Sequence, residues 1–182
     1  MATLGYSVIS RESTDPAGLS KSFELLNYEL QAVAVEAELC LVGGAVMIVA
    51  FNAKPDTRRV RALFKPIALV LEASARVAET LDLPPEWLND GVRRHLETGM
   101  ASGSFVADSN LKVYAARPDY VLALKCASIP FETGPGAHRD IRYLLRFLDI
   151  LTVDEARSVI GRYFNERQLP ADIDATLSDI LD

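Results

Sequence analysis

The chain has 182 residues, of which 49% are apolar and 24% are charged, and its formal net charge is −6. A chain of this length and composition can bury one hydrophobic core, which excludes a disordered protein. The negative charge excludes a protein that coats nucleic acid along its whole surface, because phosphate binding needs clustered lysines and arginines. We therefore expect any nucleotide or RNA contact to be local.

The cysteines and the apolar segments predict the compartment. Cys40 and Cys126 lie in apolar surroundings without the spacing of a zinc site or a redox motif, which indicates two reduced, buried thiols. The first residues lack an apolar run after a basic patch, and no stretch holds the roughly 18 apolar residues of a membrane span. These features predict a cytoplasmic protein without membrane association.

The first half of the chain predicts alternating helices and strands. Phe23, Leu26 and Leu30 recur at helical spacing, whereas Val60, Ala62 and Phe64 alternate along a strand that places Arg59 and Arg61 on its other side. In chain order we predict an irregular lead-in over residues 1–19, a helix over 20–36, a buried strand over 39–42, a glycine turn at Gly43 and Gly44 before a short helix, a strand over 58–64, and a helix from Pro66 that ends at residues 83–85.

The second half predicts mainly helices. In chain order we expect a short helix within residues 86–97, a turn region over 99–105, a strand over 111–115, a helix over 119–128, a loop over 132–138, a helix over 139–150, a helix that begins with the capping-box pair Thr152 and Glu155, and a terminal helix over 171–182. These elements predict an α+β fold in which helices flank a small mixed sheet. We expect a core over residues 20–130 and a C-terminal helical bundle over 137–182 packed on it.

Positive charge is concentrated between residues 54 and 65. Asp56 is the one acid in this segment, whose basic residues are Lys54, Arg58, Arg59, Arg61 and Lys65. This cationic strip begins shortly after the predicted glycine turn, so a local anion contact is expected there.

Three stretches, taken in order, resemble a known family. They are LVGGAVMIVAFNAKPDTRRVRAL at residues 41–63, LDLPPEWLNDGV at 81–92, and LKVYAARPDYVLALKCAS at 111–128 followed by HRDIRYLL and LTVDEARSVIGRYF. Together they resemble the minimal nucleotidyltransferases of the abortive-infection toxin type, within the polymerase-beta-like nucleotidyltransferase superfamily. The likeness covers roughly residues 20–165, and it implies the same α+β fold.

The resemblance also implies a nucleotide site. In that family a glycine turn and the following helix hold a nucleoside triphosphate, and two acids on a strand hold magnesium. Carried over to this chain, the matching positions are Gly43, Gly44, Thr57, Arg59, Arg61 and Lys125. Arg59 and Arg61 stand where the two acids belong, and a guanidinium offers no lone pair to a metal ion. The family's magnesium site is therefore absent, and the resemblance identifies no catalytic residue here.

Our main hypothesis is a degenerate nucleotidyltransferase-like protein that binds a nucleotide or an RNA end. The two arginines would replace the metal and contact phosphate directly through forked hydrogen bonds. The resemblance implies a bacterial toxin–antitoxin or phage-defence setting, in which the partner is a toxin, an antitoxin or further copies of the chain. The base of the nucleotide and the acceptor are left open.

Other interpretations remain open at this stage. An active enzyme could hold a divalent metal with relocated carboxylates at Asp56, Asp108 or Asp119. A non-catalytic interaction module could carry the same fold with a closed pocket. The residues also have simpler explanations, in which the glycines form a tight turn, the arginines are solvated on a strand, and the Lys125 stem lies along the core.

Overall fold

The computed structural model describes residues 15–54, 56–57, 59–90, 101–107, 110–131 and 136–182, with the backbone alone over 101–107. These residues form seven α-helices and five β-strands, so the predicted α+β class is confirmed. The described residues up to Ala115 form one compact unit, and those from Ala116 onward form a second. No helix in the described ranges is long and apolar enough to cross a membrane.

The first unit contains the mixed sheet and three helices. Its elements are α1 Pro16–Ala32, β1 Ala37–Val42, α2 Gly44–Val49, β2 Val60–Lys65, α3 Ile67–Leu81, β3 Leu88–Asn89, β4 Ala101–Ala107 and β5 Leu111–Ala116. The strand order is β3-β2-β1-β5-β4, with β1 antiparallel to β2 and parallel to β5. The sheet is therefore small and mixed, as predicted.

The two faces of this sheet differ in burial. Val60, Ala62 and Phe64 of β2 are buried on one face, as the alternation predicts, together with Leu39 and Leu41 of β1. On the other face Cys40, Arg61, Leu63 and Tyr114 are half-buried. Since successive strand residues point to opposite faces, Arg61 lies on the less buried side.

Helices α1 and α3 pack together within the first unit. The indole Nε1–H of Trp87 donates a hydrogen bond of 2.9 Å to the Ser74 carbonyl of α3, and the Trp87 ring lies 6.5 Å from that of Phe23 of α1. A buried indole needs such an acceptor. Trp87 thus connects both helices to the segment that leads into β3.

Several predictions about the bounds and types of elements were wrong. Helix α1 begins at Pro16 rather than after residue 19, because Asp15 caps it by accepting a 2.7 Å hydrogen bond from the Gly18 N–H. The predicted helix within 86–97 contains strand β3 at Leu88–Asn89, and its residues 91–97 lie outside the described ranges. Residues 101–105 of the turn predicted over 99–105 form most of β4, an outer strand beside β5, where sheet pairing outweighs weak local propensity, and residues 99 and 100 lie outside the described ranges.

The second unit is a bundle of four helices. They are α4 Pro118–Ser128, α5 Gly136–Phe147, α6 Val153–Ile160 and α7 Ile173–Leu181, with short 3-10 turns at Ile129–Phe131 and Glu166–Gln168. Helix α4 contacts α5 and α6, and α7 contacts the same two helices. The division after Ala115 therefore places α4 with the C-terminal helices, earlier in the chain than the predicted core boundary at 130.

The predicted capping box at the start of α6 is confirmed. The Thr152 hydroxyl accepts a 3.2 Å hydrogen bond from the Glu155 N–H, and the Glu155 carboxylate accepts one of 3.1 Å from the Thr152 N–H. Each side chain satisfies a backbone donor that the first turn of a helix leaves without a partner. This short-range pattern therefore determines where α6 begins.

Candidate functional site

Gly43 forms the turn between β1 and α2, as predicted. Its backbone has φ 63° and ψ −135°, a conformation that side-chain-bearing residues rarely adopt. Helix α2 follows at once and is only six residues long, with Ala45, Val46, Met47 and Ile48 buried. The turn is thus held by an apolar helix on one side and a sheet strand on the other.

Gly44 is explained by close packing against Thr57. A Cβ atom placed on Gly44 would lie 2.9 Å from the Thr57 hydroxyl oxygen, which is closer than such atoms approach. That hydroxyl donates a 3.0 Å hydrogen bond to the Arg59 carbonyl. The structure therefore brings Thr57 directly onto the glycine turn.

Arg61 lies beside the same turn. In the β1–β2 ladder it pairs with Val42, the residue that precedes Gly43. The Arg61 side-chain Cδ lies 4.0 Å from the position that a Cβ on Gly43 would occupy. The register of the sheet thus places the stem of the Arg61 side chain next to backbone that carries no side chain.

Arg59 is paired with an acid that the sequence interpretation did not identify. Its guanidinium lies 3.3 Å from the Glu86 carboxylate, and the two side chains are 60% and 66% exposed. Such exposed pairs contribute about 0–1 kcal/mol, so an anionic ligand can compete with Glu86 at small cost. The missed partner comes from the segment before β3, which was predicted as a helix.

Lys125 belongs to the second unit and is buried there. Its ammonium lies 2.8 Å from the Asp140 carboxylate, and the two side chains are only 3% and 1% exposed. Helical spacing places Asp140 beside Ile141 and Leu144 on the buried face of α5, which is a signal that could have identified it. This ion pair accounts for the charge of Lys125 without a ligand.

The relocated carboxylates of the alternative enzyme are in different settings. Asp56 is exposed, and Asp108 lies outside the described residues. Asp119 accepts hydrogen bonds from the Arg117 guanidinium, the Tyr163 hydroxyl and the Tyr120 N–H. Within the described ranges no three His, Cys, Asp or Glu side chains are grouped so that they could hold a metal ion.

Replacing Asp119 with asparagine is expected to flatten the acid side of the stability profile. Burial raises the pKa of the Asp119 carboxyl, but hydrogen bonds from Tyr163 and Arg117 and the charge of Arg117 outweigh it, so its pKa lies below the ordinary value. When the pKa of a carboxyl is lower in the folded protein than in the unfolded chain, its ionised form stabilises the fold. This stabilisation is fully present above the unfolded-state pKa of about 4, and it is lost as the pH falls through the folded-state pKa.

Thermal unfolding of the two proteins between about pH 6 and pH 2 measures this effect. Over that range the free energy of unfolding of the wild type should fall by about 1–3 kcal/mol more than that of the variant. Asp179→Asn, at an exposed position of α7, is the control and should follow the wild type. Equal acid dependence in all three proteins would contradict the role of Asp119.

Neither free cysteine has the properties of a nucleophile. Burial raises the pKa of the Cys40 thiol to about 11 and that of Cys126 to about 12. Both thiols therefore stay protonated near neutral pH and react slowly. Cys40 forms part of a shallow cavity of about 350 Å³ on the less buried face of the sheet, with Leu63 and Tyr114.

The structure thus brings together Gly43, Gly44, Thr57 and Arg61, with Arg59 turned towards Glu86. This group offers glycine backbone beside an arginine side chain, which is an arrangement suited to an anion. Comparisons of the chain with models of protein families, with curated proteins and with solved structures find no match.

Proposed function

We propose that the chain is a degenerate nucleotidyltransferase-like protein that binds the phosphates of a nucleotide or of an RNA end without magnesium. The observation that carries this proposal is the position of Arg61 beside Gly43. Its cytoplasmic location and its setting in a toxin–antitoxin or phage-defence system belong to the same proposal. The location rests on the cysteines and the apolar segments of the sequence, and the setting rests on the residues that resemble that family.

The chemistry of the site favours direct phosphate binding. Arg61 supplies a planar, permanently charged group that can donate two parallel hydrogen bonds to phosphate oxygens. The missing side chain at Gly43 lets those oxygens approach the backbone closely. Arg59 provides a second guanidinium once its exposed pair with Glu86 opens. Two cations at these positions neutralise phosphate charge, which the bound metal does in the resembled family.

Lys125 is not part of the proposed site. Its buried ion pair with Asp140 gives it a structural role in the second unit. Breaking that pair to reach a ligand would leave the Asp140 carboxylate buried without its counter-ion, which is strongly unfavourable. The proposed binding residues are therefore Gly43, Gly44, Thr57, Arg59 and Arg61.

Arg61→Ala is expected to weaken ATP binding by about 10- to 100-fold, the effect of losing charge-assisted hydrogen bonds. Calorimetric titration with ATP in the presence of a metal chelator measures this directly. Arg61→Lys should bind with intermediate affinity, because lysine keeps the charge but lacks the planar guanidinium that donates two parallel hydrogen bonds. Arg167→Ala, at an exposed position of the second unit, removes the same charge elsewhere and is the control.

The other interpretations give different results in the same titration. Binding that requires magnesium and is lost in Asp56→Asn would support the active enzyme with relocated carboxylates. If neither ATP nor a 5′-phosphorylated RNA end binds the wild type, the protein is better described as an interaction module. Equal affinity of wild type and Arg61→Ala would also contradict the proposal.

A further inference from the structure

The exposed face of α5 is strongly basic. Arg139, Arg142 and Arg146 are all exposed on this helix, which spans Gly136–Phe147. The one acid of the helix, Asp140, points into the bundle and pairs with Lys125. The solvent side of α5 therefore carries three guanidinium groups and no carboxylate, although the chain as a whole is acidic.

The three arginines do not have the same role. Arg142 donates hydrogen bonds to the carbonyls of Ile180 and Asp179 and thereby caps the end of α7. The side chains of Arg139 and Arg146 form no ion pair or hydrogen bond with any residue in the described part of the chain. Their charges are available to a partner, whereas Arg142 already contributes to the bundle.

Two aromatic rings lie next to these arginines. Tyr143 and Phe147 are stacked with an angle of 12° between their planes and 6.4 Å between their centroids. Phe147 is 54% exposed. Residues four and seven positions apart share one side of a helix, so both rings lie on the same side as Arg139 and Arg146. We name these four residues the α5 basic–aromatic face.

We propose that the α5 basic–aromatic face docks single-stranded RNA. Arg139 and Arg146 are seven residues apart, which separates them by about 10 Å along the helix axis, so they can contact different phosphates. An unpaired base can stack against the exposed part of the Phe147 ring, whereas the bases of a duplex are already stacked. A nucleic-acid strand can contact both the arginine side chains, through its phosphates, and the exposed Phe147 ring, through a base. An acidic peptide would contact the arginines alone, so these residues favour a nucleic-acid strand.

This face goes beyond the proposed phosphate site and does not depend on it. The choice of RNA rather than DNA does rest on the proposed function, in which an RNA end is a ligand. The strand body would be held by α5 whether or not Arg61 binds a terminal phosphate. Loss of one contact can therefore be measured separately from loss of the other.

Fluorescence anisotropy with a labelled single-stranded RNA of about 12 nucleotides tests the proposal. Arg139→Ala/Arg146→Ala is expected to weaken binding about tenfold or more and to reduce the slope of log affinity against log salt by about 1.4. Phe147→Leu should weaken binding about fivefold or more through lost stacking, with little change in the salt slope. Alanine favours helix at both arginine positions, so the double variant is expected to fold.

The matched control is Arg162→Ala/Arg167→Ala, which removes the same charge from exposed positions outside α5. It should bind RNA like the wild type, and Arg139→Ala/Arg146→Ala should still bind ATP. An equal loss of RNA affinity in Arg139→Ala/Arg146→Ala and in the control would overturn the proposal. The proposal would also be overturned if the protein bound polyglutamate but not RNA, or if it bound duplex RNA as tightly as single-stranded RNA. A DNA strand of the same sequence that binds about tenfold tighter than the RNA would overturn it as well.

Discussion

Replacing Asp140 with alanine is expected to lower the free energy of unfolding of the second unit by about 3–5 kcal/mol. The variant leaves the Lys125 ammonium buried without the carboxylate that lies 2.8 Å from it. Both side chains are almost completely inaccessible to water, so the charge cannot be solvated without opening the contact between α4 and α5. Urea unfolding followed by far-ultraviolet circular dichroism measures the loss.

Asp179→Ala is the control for this experiment, because it removes an exposed carboxylate from the same unit. It should change the free energy of unfolding by less than about 0.5 kcal/mol. Replacing both partners, in Lys125→Met/Asp140→Leu, should restore most of the stability, since apolar groups of similar size can replace a buried ion pair. Similar stability of Asp140→Ala and Asp179→Ala would contradict the buried pair.

The double variant also separates the two roles considered for Lys125. If the lysine only balances Asp140, the Lys125→Met/Asp140→Leu protein should bind ATP as tightly as the wild type. If the lysine contacts phosphate, as the family resemblance implies, ATP affinity should fall although the fold is retained. The stability and binding measurements on one protein therefore distinguish a structural residue from a ligand-binding one.

The parts of the fold that could be predicted depend on short-range physics. Alternating burial along β2 follows from the pleat, since Val60, Ala62 and Phe64 must point to the same side. The start of α6 follows from the reciprocal bonds of Thr152 and Glu155. The strand-to-helix turn at Gly43 follows from the need for a residue that tolerates positive φ.

The parts that were missed depend on contacts between distant segments. Strand β4 exists because β5 offers it a hydrogen-bonding edge, and its glycine and serine residues give no local signal of a strand. Glu86 meets Arg59 only because β3 lies beside β2 in the sheet. Asp140 meets Lys125 only because α5 packs on α4. In each case the missing information was the neighbour in space.

The same distinction applies to the candidate site. The family resemblance pointed to Gly43, Gly44, Thr57 and Arg61, and the sheet register and the packing of Thr57 place them together. Arg59 was predicted to act with Arg61, and strand alternation alone does not show that its guanidinium meets Glu86. The resemblance therefore identified most of the residues, whereas their partners required the tertiary structure.

Alanine at Gly43 and alanine at Gly44 are expected to destabilise the first unit for different reasons, and this difference can be measured. At Gly43 the backbone conformation itself excludes a side chain, so the cost of about 1–3 kcal/mol arises from strain that no neighbouring change relieves. At Gly44 the new methyl group meets the Thr57 hydroxyl, and overpacking of this kind also costs about 1–3 kcal/mol.

A second substitution at Thr57 separates these two causes. Thr57→Ala removes the hydroxyl and leaves only the Cβ atom, which lies at an ordinary contact distance of 3.7 Å from the added methyl position on Gly44. Gly44→Ala/Thr57→Ala should therefore recover much of the lost stability, with a coupling energy of about 1 kcal/mol or more, whereas Gly43→Ala/Thr57→Ala should show none. Equal coupling in both double variants would mean that the turn is held by packing alone. Conformational strain at Gly43 would then no longer explain why a glycine lies beside Arg61.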